Sequence, residues 1–390
     1  MPDKAQGVLI ISPFFSPNVG GVETHLDDLC AVLAERGCPA VVATYQPLMT
    51  QVSAPSYECR GSVEIYRLRW PSRLPGMSQP AYYQLLTRPA LAFLYLFPGL
   101  FVHSLRLLWR FRRQVEVIHA HGIVAGTIAA ILSWFFRKKM VLSTHTYYGL
   151  ARGAPMARVL RLVAHACGQV LCLSRQSRQE LLSIGVPAEQ VQVYTYWVDQ
   201  HTFRPLDRVA LRAELGWTEA FVVFFAGRLI EGKGVRVLLE ASKCLRDVPQ
   251  LLIVLAGDGP LEDVVKTAAG SNLIFLGRAG RQDLCRYYNA ADLLVVPSLH
   301  QEGFGRIILE ALSCGLPVVA SRRGAIPEAL DSTVGWFTEP TAQEIERIIR
   351  LLASDPQNVT AKRAQCRAYA ERRFGRSNAA PILESYWSLA

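Results

Sequence analysis

Two acidic side chains, Glu302 and Glu310, flank a stretch within residues 291–311 that has the pattern of an anion site. The pattern predicts a buried strand over Leu293–Val296, a loop that carries Glu302, and a helix that begins near Gly305. This order directs free backbone N–H groups and the positive end of the helix dipole at a ligand. Because Glu302 and the later Glu310 would weaken anion binding, the sequence predicts that this stretch does more than hold phosphate.

A basic loop follows the strand that is predicted over residues 221–225. It carries Arg228 and Lys233, which offer a planar guanidinium fork and a compact ammonium group to phosphate oxygens. Together the two charges predict a diphosphate site. The glycine loops at 18–23 and 256–260 are weaker signals. The first lacks the third glycine of a dinucleotide fingerprint, which also argues against a nicotinamide-dependent dehydrogenase, and the second is mainly a turn signal.

Alternating strand and helix patterns predict the elements that position these loops. In the first half, strands are predicted at 8–11, 40–45, 63–67, 115–119 and 140–144, with helices at 23–36, 126–136 and 156–166. In the second half, strands are predicted at 221–225, 251–255, 273–276, 293–296 and 317–320. This alternation predicts two doubly wound α/β domains joined near residues 196–208. Ligands bind outside the carboxyl ends of such strands, so two facing domains would form a cleft.

The composition describes a folded protein with an uneven charge. The 390 residues fit two domains, and the nine cysteines form no C-x-x-C pair, which indicates reduced thiols in a cytoplasmic protein. We see no cleavable signal peptide. Of the net charge of +10, the first 195 residues carry +9. This excess suggests contact with phospholipid headgroups or a phosphorylated acceptor, and less plausibly with nucleic acid; the alternative is a solvated surface.

An apolar run at residues 89–109 has two interpretations. Pro98-Gly99, His103 and Arg106 interrupt it and argue against a membrane span. One interpretation is a pair of core helices. The other is a patch lying in a membrane interface, because nine arginines and one acid, Glu64, occur between residues 60 and 113. These arginines flank an aliphatic run and do not alternate with aromatic residues, so we predict no nucleic-acid partner.

The chain resembles the family 4 glycosyltransferases, a group of retaining enzymes with the GT-B fold that use nucleotide sugars. The resemblance covers nearly the whole chain and is strongest in the C-terminal block. The motifs occur in family order: Gly20-Gly-Val-Glu23, Val117-Ile-His-Ala-His121, Ser143-Thr-His145, Gly227-Arg228 with Lys233-Gly234, Ala256-Gly-Asp-Gly259, residues 302–310, and Cys314-Gly-Leu-Pro-Val-Val-Ala-Ser321.

The resemblance implies a role for each matching residue. Glu302 and His145 would be catalytic, with Glu302 beside the anomeric carbon and His145 near the donor sugar. His145 could instead be an ordinary histidine at a strand end. Glu310 would bind the ribose of the nucleotide. The donor sugar would contact Gly303 and Phe304, and the donor diphosphate would contact Gly20, Gly21, Arg228, Lys233, Gly305, Ile307 and Ile308.

The implied reaction is a hexosyl or N-acetylhexosaminyl transfer from a nucleotide-diphosphate sugar, most often a UDP-sugar, to a hydroxyl group. We expect no metal or other cofactor. The sequence has no Asp-x-Asp pair, and Asp27-Asp28 falls within a predicted helix, where neighbouring side chains point apart. With no second carboxylate to act as nucleophile, we expect front-face attack, in which the departing phosphate oxygen takes the acceptor proton.

The resemblance also implies how the chain divides. An N-terminal, acceptor-binding Rossmann-like domain would comprise residues 1–197 plus 375–390, and a C-terminal, donor-binding one residues 198–374. The family's Pro-Asn-Gly-Val-Asp segment is replaced by Thr195-Tyr-Trp-Val-Asp199. We expect Tyr196 and Trp197 to pack at the junction, although stacking on an acceptor is the alternative.

Several alternatives remain at this point. The acceptor is either lipid-linked or phosphorylated, at the cytoplasmic face of an anionic membrane, or a soluble polyol, aminocyclitol or glycoside. A phosphorylase or an epimerase would not be expected to have the complete loop order. A catalytically idle partner subunit would be favoured by loss of Glu302, Arg228 or Lys233, and all three are present.

Overall fold

The computed structural model describes residues 7–18, 20–49, 52–72, 85 and 88–387. They form two compact units: unit 1 holds the described residues up to Thr195 and from Asn378 onward, and unit 2 is Tyr196–Ser377. Each unit is a mainly parallel sheet with helices between successive strands. The predicted pair of doubly wound α/β domains is therefore confirmed.

Unit 1 is built on an eight-stranded sheet. Its strands are β1 (Gly7–Ile11), β2 (Ala40–Tyr45), β3 (Tyr57–Arg60), β4 (Val63–Leu68), β5 (Val115–His121), β6 (Lys139–Thr144), β7 (Gln169–Cys172) and β8 (Val191–Val193). The order is β3-β4-β2-β1-β5-β6-β7-β8, and only β3 and β4 pair antiparallel. The direction of the connections reverses between β1 and β5, so the loops after these two strands lie at the switch point where such sheets bind ligands.

Within the described residues, five helices of unit 1 lie between its strands. They are α1 (Gly21–Glu35), α2 (Pro89–Phe111), α3 (Gly122–Phe136), α4 (Pro155–His165) and α5 (Arg175–Ser183). The central strands are buried on both faces because helices cover both sides of a parallel sheet.

Unit 2 has a six-stranded, wholly parallel sheet in the order β11-β10-β9-β12-β13-β14. Its strands are β9 (Phe221–Ala226), β10 (Leu251–Ala256), β11 (Leu273–Phe275), β12 (Leu293–Val296), β13 (Val318–Ser321) and β14 (Gly335–Thr338). Its helices are α6 (Arg208–Leu215), α7 (Val235–Cys244), α8 (Glu262–Ala268), α9 (Arg281–Ala290), α10 (Arg306–Ser313), α11 (Ile326–Ala329), α12 (Ala342–Ser354) and α13 (Pro356–Arg373). The switch point of this sheet lies between β9 and β12.

The last helix, α14 (Ala380–Trp387), belongs to unit 1, which is therefore discontinuous in sequence. Its Tyr386 is fully buried, and the hydroxyl lies 2.6 Å from Nδ1 of His119 on β5. The C-terminal helix thus completes the core of the unit that begins the chain.

The apolar run forms one helix, so the prediction of two helices broken at Pro98-Gly99 is wrong. Helix α2 runs from Pro89 through Pro98 to Phe111. Pro98 removes the helical hydrogen bond to the Leu94 carbonyl, but both residues are exposed, where water can hydrate that group. Leu96 and Leu100, on either side of Pro98, are buried in the same core and keep the helix continuous.

Among the described residues, α2 is also the one helix long and apolar enough to cross a membrane by length and composition. Its inner face is packed in the core of unit 1, with the Tyr45 hydroxyl donating to the Leu96 carbonyl at 2.7 Å. The indole Nε1 of Trp70 donates to the Tyr95 carbonyl at 3.0 Å. These contacts fasten α2 to the edge of the sheet.

Candidate functional site

The loops after β9 and β12 meet at the switch point of unit 2. Lys233 Nζ lies 2.7 Å and 2.9 Å from the two carboxylate oxygens of Glu302, so the ammonium faces both oxygens. The backbone loops touch beside this pair. Gly234 has a φ of 72°, and a side-chain carbon there would lie 1.9 Å from the Pro297 carbonyl oxygen. Glycine at this position therefore permits the close approach that brings Lys233 to Glu302.

Glu302 is a buried, ionised carboxylate. Ser298 Oγ donates to its Oε1 at 2.5 Å, and His300 Nε2 lies 3.6 Å from the same oxygen. Burial alone would raise the pKa of Glu302, but the Lys233 ammonium, His300 and the hydrogen bonds from Lys233 and Ser298 outweigh burial and lower the pKa to about 2. Glu302 therefore carries its negative charge throughout the physiological pH range.

The loop after β13 fixes the backbone of Glu302. The Ala325 N–H donates to the Glu302 carbonyl at 2.9 Å, and the Gly324 N–H donates to the side-chain oxygen of Gln301. Gly324 has a φ of 61°, and a side-chain carbon there would lie 2.2 Å from the Glu302 carbonyl oxygen. Three strand-end loops therefore determine where the Glu302 carboxylate lies.

Glu310 lies one turn inside helix α10, as predicted from its spacing. Arg306 Nε contacts its Oε1 at 3.2 Å, and the Tyr288 hydroxyl donates to its Oε2 at 3.2 Å. All three side chains are buried. The carboxylate is thus held in one orientation, which suits a group that grips a pair of hydroxyls. Its role toward a ribose stays a prediction.

The start of α10 is where the sequence predicts it, with Gly305 as the N-cap residue. The N–H of Ile308 already donates to the Gly305 carbonyl at 2.8 Å. The amides nearer the helix start, including that of Ile307, are therefore the ones that we expect to reach a phosphate.

Phe304 contributes to the interior of unit 2. Its ring packs edge-on against Tyr196 and Phe374, with 6.2 Å between the ring centroids in each pair. Any contact of Phe304 with a sugar would therefore come from its backbone, as for its neighbour Gly303. Tyr196 and Trp197 are buried, as expected of packing residues; their place at the junction stays a prediction.

Arg228 lies on the loop after β9, beside the loop after β10. The N–H of Leu229, the next residue, donates to the Asp258 carbonyl at 2.7 Å. Burial raises the pKa of Asp258, which Arg278 and Arg228 oppose. Arg228 and Lys233 therefore lie on one loop at the carboxyl edge of the sheet, and each has a carboxylate nearby.

Gly20 and Gly21 lie at the start of α1, in unit 1; Val19, before them, is outside the described residues. The Glu23 carboxylate covers this helix start, because Oε2 would lie 2.3 Å from a side-chain carbon at Gly20. A carboxylate here opposes the binding of a phosphate. The contact of Gly20 and Gly21 with a diphosphate stays a prediction.

His145 belongs to a cluster of four histidines at the switch point of unit 1. Its Nε2 lies 2.8 Å from Nδ1 of His121, and the two rings are stacked with 5.0 Å between centroids. His25 lies 5.5 Å from the His145 ring, and His119 lies 4.1 Å from the His121 ring. Burial lowers the pKa of His145 to about 3 and that of His121 well below its usual value, so both rings are neutral at pH 7.

Sequence reasoning missed Ser298, Arg306, Tyr288 and the role of His121. Ser298 and Tyr288 carry no charge, and their spacing gives no signal until the strand order is known. Arg306 does have a signal, since it precedes Glu310 by four residues on a predicted helix, the spacing of an ion pair. The role of His121 also had a signal: His119 and His121 are two residues apart on one strand, so their side chains lie on the same face.

In the part of the chain that the structure describes, no group of three or more His, Cys, Asp or Glu side chains could hold a metal ion.

Known proteins resemble the chain along its length. The model described as Glycosyltransferase Family 4 matches residues 19–200, and that for Glycosyl transferases group 1 matches residues 207–373. A D-inositol 3-phosphate glycosyltransferase of Saccharomonospora viridis is 30% identical over 300 residues, which cover 70% of this chain and 69% of the relative. A GDP-mannose-dependent monoacylated alpha-(1-6)-phosphatidylinositol monomannoside mannosyltransferase of Corynebacterium glutamicum is 24% identical over 93% of each chain.

Among solved structures, HepE of Anabaena in complex with UDP and glucose superposes with a TM-score of 0.76 at 23% identity. The match covers 98% of this chain and 100% of that chain. The chain therefore belongs to the family 4 glycosyltransferases, the glycosyl transferases group 1, and its two Rossmann-like units have the GT-B fold.

Proposed function

We propose that this glycosyltransferase moves a hexosyl or N-acetylhexosaminyl group from a UDP-sugar to a hydroxyl acceptor, with retention of anomeric configuration and without a metal ion. The observation that carries the proposal is the buried contact between Lys233 and Glu302. It sets a cation and an anion side by side, where a nucleotide sugar needs both. The cation suits the leaving diphosphate, and the anion suits the positive charge that develops at the anomeric carbon.

The proposed diphosphate site consists of Lys233, Arg228 and the amides at the start of helix α10. Glu302 holds Lys233, and the helix holds its backbone amides, before the donor arrives, so these groups stabilise the negative charge of the leaving phosphate without reorganising. Attack occurs on the face from which the diphosphate departs: the acceptor oxygen bonds to the anomeric carbon as the bond to phosphate breaks. The phosphate oxygen then takes the acceptor proton. Glu310 grips the ribose.

The acceptor that we propose is lipid-linked or phosphorylated, and we propose that the protein works at the cytoplasmic face of a membrane. Two relatives are named for transfer to inositol 3-phosphate and to a phosphatidylinositol mannoside, both of which carry a phosphate. The +9 charge of the first 195 residues fits such an acceptor. A soluble polyol, aminocyclitol or glycoside is the competing acceptor class.

A donor screen by nucleotide release tests the proposal. UDP-, GDP- and ADP-sugars are offered with and without inositol phosphates and phosphatidylinositol, in buffer that contains EDTA. We expect acceptor-dependent release of UDP that EDTA leaves unchanged. Proton NMR of the product is expected to show the anomer of the donor. An inverted product, or activity that requires an added divalent ion, would refute the mechanism.

The orientation of His145 depends on His121. In their 2.8 Å contact, one nitrogen donates and the other accepts. His121 Nε2 is buried and has no hydrogen-bond partner among the described residues. If His145 donated, this Nε2 would carry a buried N–H without an acceptor, which costs more than an unfilled lone pair. We infer that His121 Nδ1 donates, and that His145 therefore keeps its own proton on Nδ1.

A pair of variants tests this positioning role. His121→Asn supplies an amide N–H near the Nδ1 position and is expected to keep kcat within about fivefold, whereas His121→Leu should lower kcat about 10- to 100-fold. The KM for the donor is expected to change little in either variant, because the contact with the sugar is proposed for His145 and not for His121. Equal kcat values for the two variants would contradict the assigned tautomer. Thermal melting of both proteins checks that the core is intact.

A further inference from the structure

Helix α2 exposes an apolar stripe on the side that faces away from the sheet. Leu94, Val102 and Trp109 follow one another at spacings of eight and seven residues, which places them on one helical face. Their side chains are 64%, 43% and 61% exposed. The opposite face of α2 is buried in the core of unit 1. The stripe therefore serves neither the core nor the proposed transfer site.

Helix α3 extends this apolar surface. It packs beside α2, and the rings of Trp109 and Phe136 meet edge-on with 6.1 Å between centroids, so the C-terminal ends of the two helices lie together. Ile131, Trp134 and Phe135 are 40%, 78% and 72% exposed. We call the six residues Leu94, Val102, Trp109, Ile131, Trp134 and Phe135 the docking face. Its aromatic members are concentrated where the two helices end.

Basic side chains border the aromatic end of the docking face. The Arg112 guanidinium lies 4.8 Å from the Trp109 ring centroid, and Arg137 follows α3 directly. The chain between residues 65 and 179 contains sixteen Lys and Arg and a single acid, Glu116, whose Oε2 lies 3.9 Å from Lys138 Nζ. Arg73, one of the arginines that suggested a membrane patch, lies outside the described residues.

This charge pattern decides between two occupants of the docking face. A second copy of the chain would bring the same basic border against itself, with Glu116 as the single acid between residues 65 and 179 to pair with, and would bury like charges. An anionic bilayer offers phosphates to the arginines and an apolar interior to the exposed rings. Tryptophan and phenylalanine with flanking arginines are typical of helices that lie in the membrane interface.

We propose that unit 1 binds the surface of an anionic phospholipid bilayer through the docking face, with α2 and α3 lying along the interface. Trp109, Trp134 and Phe135 insert among the headgroups, and Arg112 and Arg137 contact lipid phosphates. The inference deepens the proposed function, since it rests on an acceptor that is lipid-linked and names the surface that brings the enzyme to it.

Cosedimentation of the full chain with vesicles tests the docking face. Vesicles of phosphatidylcholine alone are compared with vesicles containing 30 mol% phosphatidylglycerol. We expect binding to the anionic vesicles only, and release in 0.5 M NaCl because salt screens the arginine contacts. Trp134→Ser/Phe135→Ser should weaken partition at least about tenfold, since the apolar area that inserts is lost. Arg112→Glu should also weaken it.

The matched control is Val209→Ser, which removes an equally exposed apolar side chain, 80% exposed, from helix α6 of unit 2. It should bind vesicles as the unaltered protein does. Equal partition of the Trp134→Ser/Phe135→Ser variant and this control would overturn the proposal. So would self-association in sedimentation velocity that this double variant abolishes while vesicle binding is absent, because a second copy would then occupy the face.

Nucleotide release, measured without vesicles, distinguishes failure of the proposed transfer reaction from failure of the proposed membrane docking. Vesicle binding without transfer to any acceptor would refute the proposed function and leave the docking face intact. Transfer to a soluble inositol phosphate without vesicle binding would refute the docking face alone. Thermal melting and UDP binding of each variant show that neither result reflects unfolding.

Discussion

Replacing Glu302 with Gln is expected to lower the rate of sugar transfer about 100- to 1,000-fold, the cost of removing one electrostatic group aimed at a transition-state charge. Glutamine has the same shape and can still accept hydrogen bonds from Lys233 and Ser298, so the binding of UDP should stay within about threefold of the unaltered protein. The measurements are nucleotide release at saturating donor and acceptor, and calorimetric titration with UDP.

The same variant should be less stable without ligand. Lys233 would lose its only carboxylate partner found among the described residues, and its side chain is only 19% exposed. Leaving this ammonium uncompensated should lower the free energy of unfolding by about 2 kcal/mol. UDP should restore part of the loss, because its diphosphate supplies the missing negative charge. Glu231→Gln, on the same loop, is the control, since Glu231 pairs with exposed Arg236. A transfer rate within tenfold of the original would contradict the role of Glu302.

Replacing Lys233 with Met is expected to weaken UDP binding about 100-fold, or about 2.7 kcal/mol. Uridine lacks the diphosphate, so its affinity should not change. Arg236→Met removes an exposed cation three residues away and should leave both affinities unaltered. If Lys233→Met lowered the affinities for UDP and for uridine equally, the substitution would have distorted the loop rather than removed a phosphate contact.

The Lys233→Met variant should also reverse the pH dependence that Glu302 confers on stability. In the unaltered protein the pKa of Glu302 is lowered from 4.5 to about 2. Its contribution to stability is therefore complete above pH 4.5 and is lost as the pH falls toward 2. Without Lys233, burial dominates and the pKa rises above 4.5, so stability falls as the pH increases through that raised value. Melting temperatures between pH 3 and pH 8 test this change of sign.

The sequence predicts the residues of the donor site better than the contacts between them. Lys233 and Glu302 stand out individually, but their contact spans 69 positions and exists because β9 and β12 are neighbours in the sheet. That neighbourhood depends on which strand the chain returns to after β11, and no local pattern encodes it. The ion pair between Arg306 and Glu310 depends only on their helical spacing, so it could have been predicted from the sequence.

Local signals also misled where packing prevailed over them. Pro98-Gly99 is an ordinary helix-breaking signal, yet the buried faces on both sides of it join α2 into one helix. The strands β3, β7, β8 and β14 were not predicted. Each of these strands has three or four residues, and several of those residues are polar. Their extended conformation follows from pairing with a longer neighbour, which is a non-local effect.

The return of α14 to unit 1 has a consequence for synthesis on the ribosome. Tyr386, which contacts His119 and completes the first core, is translated after the whole of unit 2. Unit 2 is continuous and can finish folding while the chain is still being made. The core of unit 1 cannot be completed until the last residues, which form α14, leave the ribosome. A fragment that ends at Thr195 would therefore remain an unfinished domain, and the unit that starts the chain is the last to be closed.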